Sequence, residues 1–224
     1  MIYTSAISSL ETQDSEPKPR VARKNQSLSR LIRAGTEMLC EQSYASMGVE
    51  HVLVRARLSK GSFYHFFPTK EYFGLQVIDY YAEYFNQKLD RILSQTEVSP
   101  LERVRLYIRE GIEGVERFGF RRGCLIGNLS QELGASHPAF RAELARVFQG
   151  WQDRVALCLQ QAIEAGELHN ATDTQAFAEF FWTGWEGALI RAKVLQSTAP
   201  IQRFARQFFN VLPILSQPSG SIHL

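Results

Sequence analysis

The sequence predicts an all-α protein, and three observations carry that expectation. Apolar residues recur at three- and four-residue spacing from about Ser27 to Leu212. No stretch alternates apolar and polar residues as a half-buried strand would. Prolines and glycines fall where helices open and close: Pro100, Pro138 and Pro200 at expected starts, Gly119, Gly123 and Gly166 at expected breaks.

The elements follow in order. Residues 1–24 mix Ser, Thr, Pro and charge without periodicity, and Pro17 and Pro19 bar a helix interior there. They read as a frayed arm, or alternatively as one that reaches phosphates or a minor groove through Arg20, Arg23 and Lys24. From about Ser27 to Gln42, the residues Leu28, Leu31, Ile32, Gly35, Met38 and Leu39 mark one face of a first helix. Val49, Val52 and Leu53 mark a short second one, Ala56-Arg57-Leu58 makes a turn, and Ser59 is the expected N-cap of a third helix from Lys60 to Phe66. Thr69 caps a long helix to about Leu93 whose inner side carries Phe73, Val77, Tyr80, Tyr81, Tyr84 and Leu89. Further helices are expected from Pro100 to about Phe118, from Cys124 to Leu133, from Pro138 to Glu164, from Asp173 to about Leu195, and from Pro200 onward.

Composition narrows the function classes. The 224 residues allow one large or two small domains with a real core. No apolar run reaches the roughly 18 residues that span a bilayer, and Met1 to Leu10 lack the pattern of a signal peptide, so a cytoplasmic setting is expected. Cys40, Cys124 and Cys158 are far apart, with no spacing that suggests a metal or a redox pair, and no cofactor is implied. Cys40 and Cys158 lie in helix-periodic stretches and read as core. The net charge of +2 is uneven: between Arg20 and Leu75 there are nine basic and four acidic residues, a local excess of about +5 that suits a phosphate-backbone binder.

The stretch from Met47 to Gly74 has the layout of a helix-turn-helix, whose second helix enters the DNA major groove. Ser59-Lys60-Gly61-Ser62-Phe63-Tyr64-His65-Phe66-Phe67, followed by Lys70-Glu71, resembles the signature of the TetR family of transcriptional regulators. Gly48 and Arg57 depart from it, standing where members often place Thr and Gly; a positive φ at Arg57 would cost about 1 kcal/mol. The family's DNA-contact positions map onto Ser46, Ser59, Lys60, Gly61, Ser62, Tyr64, His65 and Lys70, while Phe63, Phe66 and Phe67 read as head core. The resemblance implies a head over residues 25–72, a ligand-binding and dimerisation domain over 73–214, and a tail over 215–224. A homodimer is expected, since one helix-turn-helix covers only a half-site. Ile201, Phe204, Ala205, Phe208, Phe209 and Leu212, with the small residues Gly184, Ala188 and Ala192, are the candidate pairing surface; burial within the subunit is the alternative.

In the second domain, Arg121 and Arg122 precede Cys124, and two cations beside a thiol at a helix start would favour the thiolate. An ordinary buried thiol explains the same residues equally well. Gly123-Cys124-Leu125, with Ser130, Glu132 and Leu133, is similar to a TetR subgroup that senses electrophiles, including repressors of acrylate utilisation and repressors that respond to N-ethylmaleimide. That similarity runs over nearly all of residues 27–210. It implies a small electrophile or unsaturated acid such as acrylate, or its thioester, as inducer, with Cys124 as the sensing residue. Trp151, Trp182 and Trp185 are candidate pocket walls, Arg121 or Arg122 a candidate carboxylate partner, and Glu186, among apolar neighbours, needs a partner if buried. The expected function is a ligand-responsive repressor on operator DNA. The alternatives are an activator, a DNA binder without a sensor, and, remotely, an enzyme with Cys124 as nucleophile and His137 as the nearest histidine in sequence.

Overall fold

The computed structural model describes residues 19–215, with side chains from Lys24 onward, and the fold is helical. The helices are α1 (Pro19–Glu41), α2 (Val49–Ala56), α3 (Gly61–Phe66), α4 (Lys70–Leu93), α5 (Pro100–Arg117), α6 (Leu125–Leu133), α7 (Pro138–Glu164), α8 (Thr174–Leu195) and α9 (Ala199–Val211). Among the described residues the extended pairing is a single isolated bridge between Leu168 and Ile214.

Helices α1 to α3 form the head, closed by the start of α4. Leu31, Met38 and Leu39 of α1 meet Val52 and Leu53 of α2 in a shared core. Phe63 and Phe67 pack on Phe73 of α4 with ring centroids 5.0 and 4.8 Å apart. All three rings are fully buried, each contributing about 2–3 kcal/mol of apolar burial. Phe66 is half-buried against the same core, so the expected core role holds for all three α3 and post-α3 aromatics.

The remaining helices form the larger domain, with α7 packed against α4, α5, α6 and α8. Thr69 Oγ1 accepts the Tyr72 N–H at 3.0 Å and fixes the start of α4; Asp173 Oδ1 does the same for Ala176 at the start of α8. Pro100, Pro138 and Pro200 lie in the first turns of α5, α7 and α9, where a missing N–H costs nothing. After α5 the chain reverses through Phe120 and Gly119, both at positive φ. No described helix is long and apolar enough to cross a membrane.

The structure corrects some local expectations. Helix α1 begins at Pro19 rather than Ser27, because a proline is tolerated as a helix's first residue. The arm otherwise lies outside the described residues, as does most of the tail. Ser59 does not cap α3 with its side chain: its hydroxyl lies 3.2 Å from that of Ser62, and Lys60 occupies the cap position. The small-residue groove on α8 is filled from within the chain. Phe204 of α9 lies where a side chain on Gly184 would stand, and Ala188 and Ala192 are buried.

Candidate DNA interface and effector site

Two regions bring functional side chains together. The first is the outer surface of α3. Ser59, Lys60, Gly61, Tyr64 and His65 are exposed and Ser62 is half-buried, so the predicted DNA residues share one face. Tyr64 keeps 63% of its surface exposed, far more than a packing role requires. A side chain on Gly61 would meet nothing within 4 Å, and its φ is not positive, so the subunit itself does not demand a glycine there. Arg57 takes φ 54° at the turn between α2 and α3, and Arg30 donates to its carbonyl at 3.1 Å.

Two predicted contacts carry intramolecular partners. Lys60 Nζ lies 2.6 Å from Glu50 Oε1, with both groups exposed. Lys70 turns inward: its Nζ donates to the Tyr44 carbonyl at 2.7 Å and sits over the Tyr44 ring at 4.3 Å. Burial lowers the Lys70 pKa, and the residue anchors the loop between α1 and α2. Ser46, exposed in that loop, exchanges hydrogen bonds with Ser43.

The second region surrounds Cys124, the N-cap residue of α6. The thiol hydrogen-bonds to the Glu186 carboxyl from α8. The carboxyl also presses on Gly127, where a Cβ would overlap Oε2 and lie 3.8 Å from Cys124 Cβ. Tyr107 of α5 feels both groups, and its ring lies 5.8 Å from Trp182 and 5.4 Å from Trp185. Trp151 and Trp182 pack ring on ring with centroids 4.9 Å apart and planes tilted by 31°. Tyr107 thus joins the Cys124–Glu186 pair to an aromatic cluster that contains the three predicted tryptophans. Polar atoms here are under-satisfied: Trp151 Nε1, Trp182 Nε1 and Glu186 Oε1 are buried without a hydrogen-bond partner. Tyr107 was not legible as a site residue, because nothing in the spacing of α5 distinguishes it from core.

The arginines behave otherwise than expected. Arg122 Nε pairs with Glu41 Oε1 at 3.0 Å and its guanidinium covers the Phe118 ring at 4.3 Å. Arg121 is exposed. Neither activates the thiol, whose pKa is raised well above the ordinary value by burial and then by Glu186; the N–H groups of Gly127 and Ile126 oppose that shift. Burial likewise pushes the Glu186 carboxyl up to about 7, the thiol's hydrogen bond offsetting part of the effect. Lys88 of α4 lies 5.7 Å from the Tyr107 ring and 3.5 Å from Glu110 Oε2. Cys40 and Cys158 are buried, as expected of core thiols, and burial pushes each up to about 12.

A set of polar contacts ties the Cys124 segment to the head. Gly123 N–H donates to the Cys40 carbonyl at 3.1 Å, and Asn128 Nδ2 donates to the Leu39 carbonyl at 3.2 Å. At the far end of α6, Glu132 accepts the Tyr44 and Ala45 N–H groups at 2.6 and 2.7 Å. Leu125 N–H reaches the Tyr81 hydroxyl of α4 at 3.4 Å. Helix α6 thus spans the distance from the thiol to the end of α1.

Comparison with known proteins agrees with this layout. Residues 31–73 match the model for bacterial regulatory proteins of the tetR family, and residues 100–208 match the tetracyclin repressor-like C-terminal domain. The chain is 48% identical over 178 residues to the transcriptional regulator AcuR of Cereibacter sphaeroides, covering 80% of this chain and 81% of that protein. It is 30% identical over 182 residues to the HTH-type transcriptional repressor DhaR of a Mycobacterium species, covering 81% and 90%. A crystal structure of a regulatory protein TetR from Rhodobacter sphaeroides superposes with a TM-score of 0.80 at 46% identity, covering 83% of this chain and 98% of that one. Head, larger domain and sequence agree along their length: the chain belongs to the TetR family of DNA-binding transcriptional regulators.

Proposed function

We propose that the protein is a homodimeric repressor that holds operator DNA through the exposed face of α3 and releases it when a small electrophile or unsaturated acid reaches Cys124. Repression is supported by the relative DhaR, whose name describes a repressor. The observation that carries the coupling is the run of contacts from the Cys124 segment and α6 to Leu39, Cys40, Tyr44 and Ala45 of the head. An adduct on Cys124 must occupy space already held by Glu186 and Gly127, so α6 shifts and carries the end of α1 with it. Each α3 is then misplaced relative to half-sites about one helical turn apart.

The second copy fits the free face of α8. Ala176, Phe180, Thr183, Gly187, Ile190 and Val194 are exposed and recur at alternating four- and three-residue steps, the spacing of a helix-pairing seam. Val194 is 75% exposed and Phe180 45%, which a monomer would leave against water.

The test is a mobility-shift assay on the promoter region beside the protein's own gene, with and without acrylate. Binding at low salt and its loss with acrylate are expected, with Cys124→Ser still binding and releasing weakly. Absence of binding at micromolar protein overturns the regulator assignment for that DNA; an unchanged release curve in Cys124→Ser overturns the thiol sensor.

A further inference from the structure

We propose that Glu186 is the proton acceptor for Cys124, so that the two side chains form a buried addition site for α,β-unsaturated carbonyl compounds. This rests on the thiol-sensing function above and deepens it. The geometry is specific. The carboxyl of α8 and the thiol at the start of α6 flank the same residue, Gly127, whose lack of a side chain lets the carboxyl approach. One carboxyl oxygen meets the thiol, and the other, Oε1, is buried with no partner. The nearby N–H groups of Trp151 and Trp182 are also buried without acceptors. A carbonyl compound that reaches Cys124 finds a base beside the nucleophile.

The chemistry needs such a base. Burial holds the thiol neutral, so it cannot supply thiolate unaided at ordinary pH. The Glu186 carboxylate takes the Sγ proton as sulfur bonds to the β-carbon of the acceptor. The alkene π pair moves toward the carbonyl, forming an enolate. The protonated Glu186 then returns its proton to the α-carbon. An S–H bond and a π bond are lost, an S–C and a C–H bond are gained, and Glu186 is regenerated. A carboxyl titrating near 7 is matched to accepting a proton at neutral pH. The titratable groups facing it are Cys124 from α6 and Tyr107 from α5; Glu110 and Lys88 lie beyond Tyr107 and pair with each other.

The experiment measures the rate of N-ethylmaleimide addition to Cys124 in the full chain, by peptide mass mapping, from pH 5.5 to 8. This probe is uncharged, so its own charge does not change across the range. Wild type is expected to react faster with rising pH and to level off above about 7. Glu186→Gln is expected to react more slowly at pH 7.5, on the order of 10²-fold, and to lose the bend while still binding operator DNA. Equal rates and profiles in the two proteins overturn the proposal while leaving thiol sensing intact. No adduct at Cys124 in wild type overturns both. A slower variant whose profile keeps the bend near 7 also overturns it, since the bend then belongs to another group.

Discussion

Arg57 holds a left-handed conformation at φ 54°, where its Cβ crowds the backbone, and there its N–H and that of Leu58 close the end of α2 on the Val54 and Leu53 carbonyls. Arg57→Gly is therefore expected to raise stability by about 1 kcal/mol, read as a higher denaturant midpoint at unchanged slope. The sequence marked this strain, since turn position and residue type are local. Gly127 was not marked, because its constraint comes from Glu186, far along the chain. Gly127→Ala should destabilise by about 1–3 kcal/mol through overlap with that carboxyl, and Glu186→Ala in the same chain should recover most of the loss. Glu186 also gives a pH signature. Its folded pKa of about 7 lies above the unfolded value near 4.5, so its contribution to stability is fully present below about 4.5 and is lost as pH rises through about 7. Glu186→Gln should flatten that part of the stability profile and be more stable than wild type at pH 8, by on the order of 3 kcal/mol. Thermal unfolding at pH 5 and pH 8 reads the difference.

Among the elements, α6 has the most consequence for its length. Its start carries Cys124, and its end holds the loop between α1 and α2 through Glu132. The helix itself was legible, since Gly123 and the apolar spacing bound it, but its attachment to the head was not. The bonds join residues 88 and 87 positions apart, and no local pattern announces such a partner. The same limit explains the arginines: adjacency to Cys124 in sequence suggested activation, whereas Arg122 turns back to Glu41 of α1. The bonded path runs through α6, which packs against α4 and α1. Glu132→Ala leaves two N–H groups without their acceptor and should cost about 1–3 kcal/mol. It should also require more inducer for release while operator binding persists. A release curve superimposable on that of wild type would remove α6 from the path.

At the scale of the whole molecule, the fold depends on one continuous core that α4 threads from Phe73 in the head to Val77, Tyr81 and Leu89 in the larger domain. The order of helices was readable because prolines, caps and apolar spacing are local signals. Where a second copy sits was not readable in the sequence, because apolar spacing cannot tell a face packed within the chain from one that meets a second copy. Phe204 and Phe208 pack on α8 within the subunit, whereas Phe180, Ile190 and Val194 of that helix are exposed and form the face proposed above for the second copy. Val194→Asp is accordingly expected to give a folded monomer in light scattering and to abolish operator binding at concentrations where wild type is saturated. The claim that joins these scales is that modification of Cys124 and release of DNA are one event. It is tested most directly by titrating an operator complex with acrylate, measuring in each sample the bound DNA by anisotropy and the fraction of Cys124 modified by mass spectrometry. The two should fall and rise together, reaching completion at one adduct per protomer. Complete modification with the DNA still bound, or release with Cys124 unmodified, would contradict the account.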